Sequence, residues 1–161
     1  MFKIYYTCRP VFRKKIKQNF LRLMQIIAPT DSDFKQIRTF IKMFELDDRA
    51  LDSKQFLAAY LQQELTGFGR IRNFETCSEL CSLGVIEPQR LKGIGRQLVK
   101  SLVKEALQPL YLVCIIPEYF KPLGFITVSV YPDKLQDKLN YCTRELAAPE
   151  NYVVMKHEDR Y

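Results

Sequence analysis

The chain has little of what metal and thiol chemistry require. Its 161 residues include one histidine, His157, and five cysteines without a Cys-x-x-Cys pair. No cluster has metal-ligand spacing, and Cys77 with Cys81 has neither further ligands nor a catalytic histidine beside it. The cysteines (Cys8, Cys77, Cys81, Cys114, Cys142) are odd in number, which predicts reduced thiols, buried as small apolar residues, in a cytoplasmic protein. No stretch approaches the roughly 20 apolar residues of a spanning helix. Repeats of twenty to fifty residues are absent too, which excludes a solenoid.

Acidic residues are missing from one region only. Met1 to Leu23 holds Lys3, Arg9, Arg13, Lys14, Lys15, Lys17 and Arg22 and no acid, so these seven account for the whole formal charge of +7. From Met24 onward 18 basic residues meet 18 acidic ones. Residues 1–23 therefore read as a basic N-terminal extension, and residues 24–161 as one neutral globular domain with no general affinity for nucleic acid. The extension has no serine and no long apolar run, so it resembles neither a transit peptide nor a secretory signal. A basic surface adaptor is the function it alone would suggest.

What is present reads as alternating strands and helices. Gln25 to Ala28 is a short strand, and Thr30, Asp31, Ser32 and Asp33 open a helix with its apolar stripe at Phe34, Ile37, Ile41 and Phe44. Phe56 to Leu61 and Thr66 to Ile71 flank Gln62, Gln63 and Glu64 as a hairpin. A strand over Glu79 to Ile86 leads into a helix that ends before Pro109, and Leu110 to Ile116 is again a strand. This is a βαβ crossover with parallel strands. Tyr119 to Leu123, a strand Phe125 to Val130, a polar helix after Pro132 and a last strand Tyr152 to Met155 complete an α+β, mixed-sheet domain.

Between strand and crossover helix lies Gln89-Arg90-Leu91-Lys92-Gly93-Ile94-Gly95-Arg96. A helix start offers unpaired N–H groups and a positive dipole end to an anion, and bare glycines let a phosphate approach the main chain. Arg90, Lys92 and Arg96 add charge. The dinucleotide fingerprint fails because Leu98 stands where a small residue is required. The P-loop fails because Gly95-Arg96-Gln97 lacks Gly-Lys followed by Ser or Thr.

Arg90-Leu91-Lys92-Gly93-Ile94-Gly95 follows the pattern Gln or Arg, two residues, Gly, one residue, Gly or Ala, and in this it resembles the GNAT superfamily of acetyltransferases. Leu83-Gly84-Val85-Ile86-Glu87-Pro88 resembles the family's fourth strand and its exit, and Leu123-Gly124-Phe125 its Gly-Phe element. The resemblance spans roughly Met24 to Met155. It implies a mostly antiparallel sheet that splays beside the fourth strand, flanked by helices. It also implies acetyl-CoA as acyl donor, with the pantetheine arm along Leu83 and Val85. The diphosphate would lie on Arg90, Leu91, Lys92, Gly93, Ile94, Gly95 and Arg96.

The resemblance also implies a catalytic pair. Glu79 stands at the offset of the family's glutamate base, with Glu64 and Glu75 as lesser candidates, because an ammonium acceptor must lose a proton before attack. The family's tyrosine acid falls on Phe120, leaving Tyr119, Tyr141 or water for that role. Phe at this place, Pro132-Asp133-Lys134 and Asn140-Tyr141 loosely resemble amino-acid acetyltransferases of the N-acetylglutamate synthase type. The expected enzyme is an N-acetyltransferase, a monomer or homodimer without nucleic-acid partner. Its acceptor would be a small amino-acid-like primary amine whose carboxylate pairs with Arg70 or Arg72. The competing expectation is a non-catalytic acyl-CoA-binding module.

Overall fold

The computed structural model describes residues 23–90, 92–146 and 151–158. Residues 1–22 of the basic extension, with Cys8, and the candidate ligand Leu91 lie outside the described residues. Among the described residues seven strands form one sheet: β1 (Met24–Ile27), β2 (Phe56–Leu61), β3 (Glu64–Asn73), β4 (Ser78–Val85), β5 (Leu110–Cys114), β6 (Phe125–Thr127) and β7 (Val153–His157). Their order is β1-β2-β3-β4-β5-β7-β6, and the sole parallel neighbours are β4 and β5. The mixed, mostly antiparallel α+β architecture with one crossover is thus as expected.

Helix α1 (Asp31–Met43) begins where the sequence places caps: the Thr30 hydroxyl accepts from Asp33 N–H while the Asp33 carboxylate accepts from Thr30 N–H. Such a reciprocal cap satisfies two otherwise orphaned donors. The Tyr60 hydroxyl donates to the same carboxylate at 2.8 Å, tying the helix start to β2. Ile37 and Ile41 are buried against Phe56, Ala58 and Phe68. Gln62 and Gln63 close the β2–β3 hairpin with φ of 51° and 68°, the left-handed pair that the tightest hairpin connection demands.

Helix α2 (Ile94–Glu105) is the crossover between β4 and β5, and it buries Ile94, Leu98, Val99 and Leu102 on one face of the sheet. The short α3 (Pro117–Phe120) leads through a 3₁₀ turn to Gly124, whose φ of 90° only glycine adopts without strain. Helix α4 (Asp133–Glu145) covers the opposite face beside α1, with Leu135 against Tyr111 and Val154. Strand limits differ from expectation by one to three residues: β3 spans Glu64–Asn73 where Thr66 to Ile71 is expected, and β5 ends at Cys114, short of Ile116. β6 stops at Thr127, keeping beyond it one bond from Val128 N–H to the Val154 carbonyl, and β7 runs to His157 as it inserts between β5 and β6. Long-range pairing sets both limits.

Candidate active site

β4 and β5 stay in register only from Ser78–Leu110 to Leu80–Leu112. Beyond that β4 turns away, because a bulge opposite Phe68 to Arg70 puts Ser82 at φ 48°. A bulge bends its strand and breaks the ladder. The Ser82 hydroxyl holds the new course by donating to the Asp47 carbonyl at 2.9 Å. The parting opens a cavity of about 390 Å³ whose wall includes Leu83, Ile116, Phe120, Asp47 and Lys138.

At one end of β4 lies the glycine turn. Gly93 caps α2 in the left-handed region, φ 92°, and the first intrahelical bond runs from Gln97 N–H to the Gly93 carbonyl. The amides of Ile94, Gly95 and Arg96 therefore precede the helix ladder, the kind of donors that helix starts offer to anions. A Cβ on Gly95 would stand 2.6 Å from the Tyr119 hydroxyl and 3.4 Å from Val85 Cγ2, so this spot exists only because the residue is glycine. Arg90 donates from Nε to the Val85 carbonyl at 3.1 Å, and Lys92 donates to Gln89 at 2.8 Å. Arg96 is exposed, and Leu83 and Val85 are half-buried on β4. Main-chain donors, bare glycines and neighbouring cations together fit a diphosphate.

On the α1/α4 face a group of charges closes over β4. Glu79 is 1% exposed and Lys138 5%. Lys138 Nζ lies 2.5 Å from Asp47 Oδ2 and 3.2 Å from Glu79 Oε1. Arg72 Nη1 stands 3.7 Å from both carboxylates, and Arg49 grips Asp47 with Nε at 2.9 Å and Nη2 at 2.8 Å. Burial works against ionising Asp47, yet the Arg49 hydrogen bonds and the Lys138 charge hold its carboxyl well below the usual range. Burial likewise opposes the charge on Lys138, and Glu79 and Asp47 outweigh it, keeping the ammonium above its ordinary value. Glu79 Oε1 is at ion-pair distance from Lys138 but accepts no well-directed hydrogen bond from any described residue.

The other sequence candidates are scattered. Glu64 and Glu75 are exposed, and neither lines the cavity. Tyr141 lies under Arg49, whose guanidinium carbon is 3.5 Å from the ring centroid. Arg70 is fully buried and clips the loop before β2 to β3, donating to Gln55, Arg49 and Ala50. Phe120 lines the cavity, whereas Tyr119 does not and points its hydroxyl at Gly95. The described cysteines are free and buried, and no three metal-binding side chains cluster among the described residues. No described helix is long and apolar enough to cross a membrane.

Asp47 and Lys138 are the site residues that sequence reasoning missed. Lys138 carries a signal: it falls three residues after Leu135 and four before Cys142, in the buried stripe of α4. A lysine there requires a buried partner.

Solved structures share this fold at low identity. N-acetylglutamate synthase from Neisseria gonorrhoeae, complexed with coenzyme A and N-acetyl-glutamate, superposes with a TM-score of 0.69 at 16% identity over 86% of this chain. The chain spans only 35% of that protein's length. Rv2747 from Mycobacterium tuberculosis, in complex with CoA and NLQ, gives 0.67 at 16% identity, covering 83% of this chain and 98% of that one. Arabidopsis thaliana Naa50, in complex with the bisubstrate analogue CoA-Ac-MVNAL, gives 0.59 at 16% identity, covering 84% and 99%. In sequence, residues 20–125 match the Acetyltransferase (GNAT) family. That match takes in the glycine turn, the splayed strands and the Gly-Phe element together, and the chain belongs to this family.

Proposed function

We propose that this protein moves an acetyl group from acetyl-CoA to the primary amine of a small amino-acid-like molecule by direct attack. The observation that carries the proposal is the cavity between β4 and β5, which has the glycine turn beside one end of β4 and a charged wall at Asp47 and Lys138. Acetyl-CoA, when bound, supplies an acetyl thioester. The amides of residues 94–96 hold its diphosphate, the main chain at Leu83 and Val85 faces its pantetheine arm, and the Val85 carbonyl must first be released by Arg90.

On the acceptor side, the amine nitrogen forms a bond to the acetyl carbon as the carbon–sulfur bond breaks. The ammonium's proton goes to Glu79 through a water, because Glu79 does not itself line the cavity and stands behind the wall residue Lys138. Arg72 is the cation for an acceptor carboxylate, since most of the Arg70 donors are committed to the loop before β2. The N-acetyl-glutamate bound by the gonococcal synthase supports an amino-acid acceptor. The peptide analogue on Naa50 makes a peptide N-terminus its competitor.

A second reading, an acyl-CoA-binding module without turnover, is favoured by Phe120 in the place of the family's tyrosine. Acetyl-CoA at ~100 times its dissociation constant should stabilise the fold by about 2.7 kcal/mol, and a thermal melt unmoved by acetyl-CoA would sink both readings. A panel of amino acids, polyamines and peptide N-termini assayed for CoA release separates them. Glu79→Gln should keep the melting shift and lose about 10²-fold or more in turnover. Unchanged turnover would dismiss Glu79 as base.

A further inference from the structure

Tyr119 stands in an unusual relation to the glycine turn. Pro117 starts α3, Tyr119 N–H donates to the Ile116 carbonyl at 3.0 Å, and the ring packs edge-on against Phe120 at 5.0 Å. This sets the two neighbours at right angles, 87° between rings. Phe120 turns inward to the cavity and Phe125, while Tyr119 reaches across the groove to the first turn of α2. Its hydroxyl lies where a Cβ on Gly95 would be 2.6 Å away, with Cζ at 3.7 Å. The residue is 37% exposed, and its hydroxyl makes no hydrogen bond to another described residue. Arg96 is the charge that acts on it most directly.

A donor without an acceptor among the described residues, aimed at a helix start whose amides precede the helix ladder, has one simple use. We propose that Tyr119 is a cofactor-binding residue that donates its hydroxyl proton to the diphosphate at the α2 N-terminus, and that it is not the acid for the departing thiolate. The inference rests on the acetyl-CoA reading above. Burial pushes the phenol's pKa upward, so the group keeps its proton at neutral pH and acts as a donor. The proton that balances the leaving thiolate then comes from water, because the side chain facing the cavity at this point is Phe120.

The test is Tyr119→Phe, which keeps the ring and its packing. Calorimetric titration with CoA should show about a tenfold or greater loss of affinity, the size of one hydrogen bond to a charged group. Binding of S-acetylpantetheine, which has no diphosphate, should be unchanged. Equal CoA affinity in wild type and variant, with kcat reduced and its pH profile altered, would overturn the inference and restore Tyr119 as acid. Parallel losses for CoA and S-acetylpantetheine would overturn it too, by reducing Tyr119 to a packing residue. If wild type binds no CoA, the functional reading fails first and the inference goes with it.

Discussion

The two faces of β4 are built from opposite materials. Toward α2, Leu80, Leu83 and Val85 meet Ile94, Leu98, Val99 and Leu102 in a dry apolar cluster. Toward α1 and α4, Glu79 shares Lys138 and Arg72 with Asp47 from a distant loop. The apolar face is held by burial, which is non-directional and tolerates small shifts. The charged face is sound only when every member is present, since a buried ion that loses its partner keeps the full cost of leaving water. The face that backs the glycine turn is thus robust, and the face that carries Asp47, Glu79 and Lys138 is exacting.

The largest expected effect removes the shared cation. Lys138→Met leaves two buried carboxylates facing Arg72 and Arg49 alone and should cost about 3–5 kcal/mol by urea denaturation. Leu98→Ala on the other face should cost about 2–5 kcal/mol, with the difference that its cost is the same at every pH. If Lys138→Met is nearly silent, solvent already reaches the carboxylates and the contrast between the faces collapses.

An acid titration sharpens the comparison. Asp47 is depressed in the fold from an ordinary value of 3.8, so the stability it contributes is present above that pH and is lost as pH falls toward its folded value. Lys138 is raised from 10.5, so its contribution is complete below that pH and fades only at higher alkalinity. The charged face should therefore be level through neutrality and fail in acid. Asp47→Asn should lower stability at neutral pH and flatten the loss below pH 4; an unaltered acid limb would point to other carboxylates.

The smallest effect is chemical. Burial first, and Glu79 second, push the Cys81 thiol up to about 12. A thiol reagent at pH 8 should modify Cys81 no faster than the protein unfolds. Rapid modification without unfolding would show that the charged face opens by itself.

Local signals carried much of this molecule. The cap at Thr30, the stripe of α1, the hairpin at Gln62–Gln63, the crossover and the glycine turn each depend on residues within a few positions of one another, so patterning reveals them. The charged wall of the cavity depends on Asp47 meeting Lys138 across a separation of 91 residues, which no local pattern encodes. Arg70 read as a carboxylate partner because β3 alone does not show the loop folded over it. Tyr119 read as a displaced acid because one residue along α3 changes direction, and only packing against Phe120 shows where it goes.

Lys138 also joins three parts of the chain that lie far apart in sequence. A single ammonium fastens the loop after α1, the middle of the sheet and the last helix, much as a disulfide would staple them, but with no thiols to reduce. The wall at Asp47 and Lys138 consequently cannot close until α4 has been made, 91 residues after Asp47. Whatever loosens α4 loosens that wall, while the glycine turn on the far side of the sheet stays as it was.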